Sequence, residues 1–252
     1  MKPLILCYHA VSSSWPCSLA LPEQSIRDQL RFLQRRGYVG LTLSQSEERR
    51  RQATLPSRTV VVTFDDAYVS TLLAKPILDE CGYPATVFAT TAFTSGERRL
   101  SWPGVDHWLQ GPHAHELEAL SWDDLVSLAG DGWEIGSHTV THPSLPTLDD
   151  DTLERELAES REAIAARIGG CEAIAYPYGH ADARVARAAR AAGYRTGVTL
   201  TSAHDRDEPL LRPRTGLYPS DRWRVHLKLS PTFGAIRRSA LGGRLVRALA
   251  RD

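Results

Sequence analysis

The segment Thr59-Val60-Val61-Val62-Thr63-Phe64 is mostly β-branched and carries no polar alternation. A strand buried on both faces reads this way, as in a parallel sheet covered by helices. Similar short apolar runs recur at residues 3–9, 85–90, 133–136, 173–176, 194–200 and 210–217, with a further strand predicted at 39–43. Between them the pattern turns helical. Ile26, Leu30 and Leu33 share one face of a helix that begins near Ser25 and stops at Gly37. Further helices are predicted at 45–52 and 69–81, from the N-cap Ser121, at 149–168 before Gly169-Gly170, at 181–192, and from Asp221 to Leu229. Strand and helix alternate without internal repeat, which predicts a parallel α/β protein. No Gly/Ser/Pro-rich linker divides the chain, so residues 1–230 are expected to form one domain. Residues 92–120 form a long loop excursion from it, and 231–252 form a basic C-terminal helix or tail.

The 252 residues are 42% hydrophobic, which excludes a disordered chain. Thirty basic residues balance thirty acidic ones, so no global charge draws the chain to polyanions. No nucleic-acid motif and no basic, aromatic-interleaved groove is present either. The balance is uneven, however. Residues 222–252 hold eight basic residues against Asp252 alone, and Leu241, Leu245 and Leu249 repeat at i+4. Such a tail can lie on an anionic membrane or pack as a terminal helix on the domain. The apolar run at the N-terminus is about four residues long, short of a secretory core. No window approaches the ~18 apolar residues of a membrane span. A cytoplasmic address, with peripheral membrane contact as an option, is therefore the expectation. Cys7, Cys17, Cys81 and Cys171 lack CxxC spacing and are expected as reduced, buried thiols. Oligomeric state is not legible.

In parallel α/β folds, strand C-termini face the site of chemistry. Here those ends carry His9, Asp65-Asp66, Ser137-His138 and Tyr176-Pro177-Tyr178-Gly179. Adjacent carboxylates diverge, so one of the Asp pair can bind a metal while the other takes a proton; a helix N-cap is the plainer reading of either. His138 and His142 stand at i and i+4, which on a helical turn sets both imidazoles on one face within reach of one ion. Zn2+ is the default for a two-His, one-carboxylate set, with Ni2+, Co2+ or Fe2+ as other first-row candidates. Pro177 and Gly179 fix a tight turn that could leave a backbone N–H pointing inward as an oxyanion donor, or could simply join strand to helix.

Taken together, the Thr-Phe-Asp-Asp segment at 63–66, Ser137–Pro143 and Tyr176–Gly179 resemble the three motifs of the polysaccharide deacetylase family, the NodB-homology or carbohydrate esterase family 4 proteins. Leu6-Cys7-Tyr8-His9, Gly37-Tyr38 and Ser121-Trp122-Asp123-Asp124 resemble a bacterial branch of it, so the similarity spans roughly residues 4–230. The resemblance implies a distorted (β/α)7 TIM-like barrel and metal-dependent hydrolysis of the N-acetyl group of a sugar, oligosaccharide or glycoconjugate. It implies Asp66, His138 and His142 as metal ligands, Asp65 as general base and the Tyr178 N–H in the oxyanion hole. The arginine that often opens the third motif is absent here, and Arg214 is the candidate to replace it. No clear C-terminal Leu-x-Ile-His supplies a catalytic acid.

The expected pocket lining is His9, Tyr176, Trp102 and Trp122, since aromatic faces stack on sugar rings. The tryptophans of the excursion serve equally well as its own small core. Two other functions stay open: a hydrolase of the same fold acting on a non-sugar amide or O-acetyl ester, and a non-catalytic saccharide-binding protein.

Overall fold

The computed structural model describes residues 2–200 and 208–229. Strands β1 (Leu4–Tyr8), β5 (Thr59–Phe64), β6 (Ala85–Ala89), β7 (Glu134–Ser137), β8 (Ala173–Ala175), β9 (Thr196–Thr199), β10 (Arg212–Pro213) and β11 (Thr215–Gly216) build one parallel sheet. Their order is β10-β9-β8-β7-β6-β5-β1-β11, and β4 (Val39–Gly40) pairs with the first residues of β5. A separate two-stranded ribbon joins β2 (Ala10–Val11) to β3 (Ala20–Leu21).

The predicted strand 210–217 is split at Arg214. On one side Arg212 and Pro213 pair with β9; on the other Thr215 and Gly216 pair with β1. One short segment thus bridges both ends of the sheet and nearly closes a ring. Counting it as one stave gives the distorted (β/α)7 barrel. Outside it lie α1 (Glu23–Arg35), α2 (Leu43–Arg51), α3 (Lys75–Cys81), α4 (Trp122–Gly130), α5 (Asp150–Ile168), α6 (Ala183–Ala191) and α7 (Val225–Lys228). The strand predicted at 39–43 ends at Gly40, because Thr42 caps α2 in a capping box with Gln45. The helix predicted at 69–81 opens as a 3-10 segment, Val69–Ala74, and becomes α-helical only at Lys75.

Side chains alternate along each strand between the barrel interior and the helix layer. Val60, Val62 and Phe64 of β5 pack outward with Leu6 and Tyr8 of β1, under Ile26, Leu30 and Leu33. Ile5, Val61, Phe88, Ala173, Ala175 and Val198 fill the interior. Gly136 has no room for a side chain there, because a Cβ would stand 2.6 Å from the Phe88 ring. A third cluster around Trp15, Tyr68, Phe93, Leu100 and Trp102 gives the excursion its own core.

All four cysteines are free and buried. Among the described residues no helix is long and apolar enough to cross a membrane. The basic segment 231–252 lies outside the described residues.

Candidate active site

The two-residue alternation that fills the barrel also selects what reaches its mouth. On β5 and beyond, Val61, Thr63 and Asp65 share the inner face; on β1, Ile5, Cys7 and His9 do. The same parity sends Tyr176 outward. Ala173 and Ala175 face the interior, while Ile174 and Tyr176 pack into the helix-side core. Tyr176 is fully buried there and does not line the cleft, contrary to the expectation from sequence. Trp122 is a second correction. As the first residue of α4, behind its Ser121 cap, it lies under the Arg167 guanidinium, 4.2 Å from the ring, away from the cleft. Trp102 does line the cleft, with its ring stacked 4.1 Å from that of His142.

The carboxylates of Asp65 and Asp66 diverge, as adjacent side chains do. Asp65 is gripped by Arg214, with Nη1 donating to Oδ1 and Nη2 to Oδ2, both at 2.6 Å. Nη1 also donates to Thr63 Oγ1 at 2.9 Å, and Cys7 Sγ donates to Asp65 Oδ2 at 3.4 Å. Both partners of this fork are almost fully buried. Burial alone would raise the Asp65 pKa, but the Arg214 charge overrides it and holds the carboxyl well below the usual range. His9 Nε2 stands 4.0 Å from the same Oδ2. Burial lowers the His9 pKa, against the pull of the nearby carboxylates, and favours its neutral form.

Asp66 turns the other way. Its Oδ1 lies 3.2 Å from His138 Nε2 and 3.4 Å from His142 Nε2. The histidines are not on a helical turn, as their spacing suggested. His138 follows the end of β7, and the chain then bends through left-handed backbone at Thr139 (φ 70) and His142 (φ 64). The loop, rather than helical periodicity, brings the imidazoles together, with ring centroids 4.8 Å apart.

This trio fits a divalent cation. His138 Nδ1 is 2.7 Å from the Ala175 carbonyl, which can only accept, so the neutral ring carries its proton on Nδ1. The Nε2 lone pair then faces a carboxylate oxygen that accepts no hydrogen bond among the described residues. Two buried lone pairs at 3.2 Å repel unless a proton or a cation lies between them. Burial lowers the His142 pKa to about 3, so that ring is a neutral ligand. Cys7, His9 and Asp65 also converge, but the Arg214 guanidinium already occupies both oxygens of that carboxylate.

Backbone strain concentrates here. Of six non-glycine residues with positive φ among the described residues, five are Asp66, Ala67, Thr139, His142 and Tyr178. Each costs of order 1–3 kcal/mol, and such residues gather at functional sites. Tyr178 (φ 59) sits on the turn after β8, its partly exposed ring 4.7 Å from that of His142. Gly179 (φ 68) completes that turn, and a Cβ there would press into Leu200.

Sequence reading missed Glu156. It accepts from the Val140 and Thr141 N–H groups at 2.8 and 3.0 Å and from the Thr141 hydroxyl at 2.6 Å. A carboxylate on α5 thus ties down the loop that presents His142. Its signal was legible: Glu156 interrupts the buried stripe of Leu153, Leu157, Ser160 and Ile164. Tyr218, whose ring is stacked 6.4 Å from that of His9, was missed as well. Cys17, Leu200, Tyr178 and Trp102 complete much of a cleft of about 280 Å³.

Known proteins share this architecture. The family model described as polysaccharide deacetylase matches residues 52–197. YxkH of Bacillus subtilis (strain 168), whose name places it among the polysaccharide deacetylases, is 29% identical over 236 residues, covering 92% of this chain and 74% of YxkH. The Streptococcus pyogenes deacetylase PplD, solved in complex with acetate, superposes with a TM-score of 0.76 at 22% identity, over 92% of this chain and 99% of that one. IcaB from Ammonifex degensii gives 0.71 at 21% identity, over 90% and 97%. At these identities the two structures speak for the fold.

Proposed function

The chain belongs to the polysaccharide deacetylase family, and we propose that it hydrolyses the N-acetyl group of an acetylated saccharide with a divalent cation held by Asp66, His138 and His142. The observation that carries this reading is the convergence of those three ligand atoms, all within 4.8 Å of one another, beside the clamped Asp65. A bound cation would polarise the acetyl carbonyl and acidify a water molecule. Zn2+ suits the donor set best.

The roles of the chain's own groups follow from their positions. Asp65 accepts the proton of the attacking water. Arg214 makes it a weak base, so its task needs an acidified water, and the fork fixes where its lone pairs point. The Tyr178 N–H, on the strained turn, donates to the carbonyl oxygen as it gains charge. His9, neutral and 4.0 Å from Asp65 Oδ2, passes the proton from that carboxyl to the departing amine. Trp102 presents an aromatic wall to the sugar while buttressing His142.

The test is acetate release by Zn2+-reconstituted protein against N-acetylated free sugars, oligomers, and nucleotide- and lipid-linked forms, with an O-acetyl ester and a chelated control. Release from one N-acetylated class that stops on chelation is the expected result. Release from the ester alone would redirect the reading to an esterase of the same fold.

Glu156 gives a separate check. Glu156→Ala leaves three donors of the metal loop without their acceptor and is expected to weaken Zn2+ binding by about 10–100-fold. Competition against a chromophoric chelator measures this, and excess Zn2+ restores turnover. Unchanged Zn2+ affinity would show that Glu156 plays no part in holding His142.

A further inference from the structure

The excursion carries a second cavity, beside the catalytic cleft and larger than it. It measures about 540 Å³ and is lined by Phe93, Arg98, Arg99, Ser101, Leu109 and Thr141. The two spaces share a wall. Ser101 faces the cavity and the next residue, Trp102, faces the cleft; Thr141 faces the cavity and the next residue, His142, faces the cleft. Trp102 and His142, whose rings stack, stand on the cleft side of that partition. A group in the cavity is therefore one partition away from the Asp66 trio, close enough to belong to the same substrate molecule.

Charge is arranged differently on the two sides of the partition. The cleft holds the carboxylates of Asp65, already paired with Arg214, and of Asp66, which would hold the cation. The cavity is lined by two guanidinium groups and by no carboxylate. Arg98 extends over the Phe93 ring, its Cζ 5.2 Å from the centroid, which orients a side chain that is otherwise exposed. Arg99 has Glu118 at 3.5 Å as a counterion, but Glu118 is not part of the lining. Ser101 brings a hydroxyl group, the Thr141 hydroxyl is already donated to Glu156, and Phe93 and Leu109 give an apolar flank. Planar guanidinium forks suit oxyanions, whereas a neutral sugar offers them only uncharged hydroxyl oxygens, which accept weaker hydrogen bonds.

Resting on the deacetylase reading above, we propose that this cavity is a subsite for an oxyanionic substituent, a phosphate or a carboxylate, on the sugar unit adjoining the one that is deacetylated. The arginines attract the anion, so the substituent sets which way the saccharide lies. Two contacts, each of the strength of an exposed ion pair, amount to about a 2- to 30-fold gain in affinity. Because both arginines are solvent-exposed, salt should erode most of it.

The experiment uses three N-acetylated disaccharides: neutral, bearing a uronic carboxylate, and bearing a 6-phosphate. Calorimetric binding and acetate release are both measured, with wild-type protein and an Arg98→Gln/Arg99→Gln double variant. The charged sugars should bind about 2- to 30-fold more tightly than the neutral one at low salt, with lower KM and unchanged kcat. That advantage over the neutral sugar should vanish in the double variant and at high salt. Equal binding of charged and neutral sugars by the wild type overturns the proposal, as does an advantage that survives the double variant. The ranking of phosphate against carboxylate identifies the source of the oxyanion. Binding preference without acetate release from any sugar would remove the deacetylase reading and leave the subsite standing.

Discussion

Asp65→Asn is expected to lower kcat by about 10²–10⁴-fold, the range for loss of a positioned general base. The substitution keeps the shape of the side chain and removes its proton affinity. The Asp66, His138 and His142 atoms are untouched, so Zn2+ titration should match the wild type. KM should change little, because Asp65 lies deep in the cleft and is almost fully buried, with few contacts to offer a ground-state sugar. The variant also leaves the Arg214 charge without its anion, so a melting curve must accompany the kinetics. A folded, metal-loaded Asp65→Asn variant with full turnover would remove Asp65 from the chemistry. A variant that loses metal along with activity would move Asp65 into the ligand set.

The barrel was legible because its signal is local. Six apolar runs of strand length, separated by helical stretches, fall in the chain where β1, β5, β6, β7, β8 and β9 form. Asp65, Asp66, His138 and His142 were legible because strand ends in such folds point to one place. What failed was the step from position to direction. Position at a strand end suggests Tyr176 for the cleft, yet the inward parity of Ala173 and Ala175 excludes it. Nearness to the excursion suggests Trp122 as a sugar platform, yet its helix start turns it toward Arg167. The spacing of His138 and His142 suggests a helical face, yet left-handed loop backbone brings them together. Glu156 and Tyr218 come from outside the motifs and act through contacts 15 to 209 residues distant in sequence, which no periodicity encodes. Arg214 lies between. Its segment suggests an arginine-bearing last strand, but its fork onto Asp65 and its place at the closure of the ring are tertiary facts.

That double duty makes Arg214→Met the substitution with the largest expected effect on stability. It leaves the Asp65 carboxylate buried beside Thr63 and Cys7 with no guanidinium, and loss of one member of a buried ion pair costs about 3–5 kcal/mol. The pH dependence follows from burial and charge. In the wild type the Asp65 pKa is depressed in the folded state, so its contribution is present above the ordinary carboxylate range and lost only as pH falls through the lower folded value. In the variant the desolvation that Arg214 overrode meets only the weaker pull of His138 and His9, and the folded-state pKa rises above its unfolded value. The buried charge then opposes folding at neutral pH, and protonation relieves it. The difference in Tm between wild type and Arg214→Met should therefore be widest near pH 7 and narrow toward about pH 4–5. Melts of metal-free protein at the two pH values measure it. A Tm difference that ignores pH would mean that Asp65 is not the source of the loss, and that Arg214 matters only as the residue that joins the two edges of the sheet. Arg214→Lys separates the two roles further. It keeps the charge, but a single ammonium cannot hold both Asp65 oxygens and Thr63 in the fork geometry. Stability should recover in part while turnover stays low, because Asp65 then has its counterion and lacks its orientation.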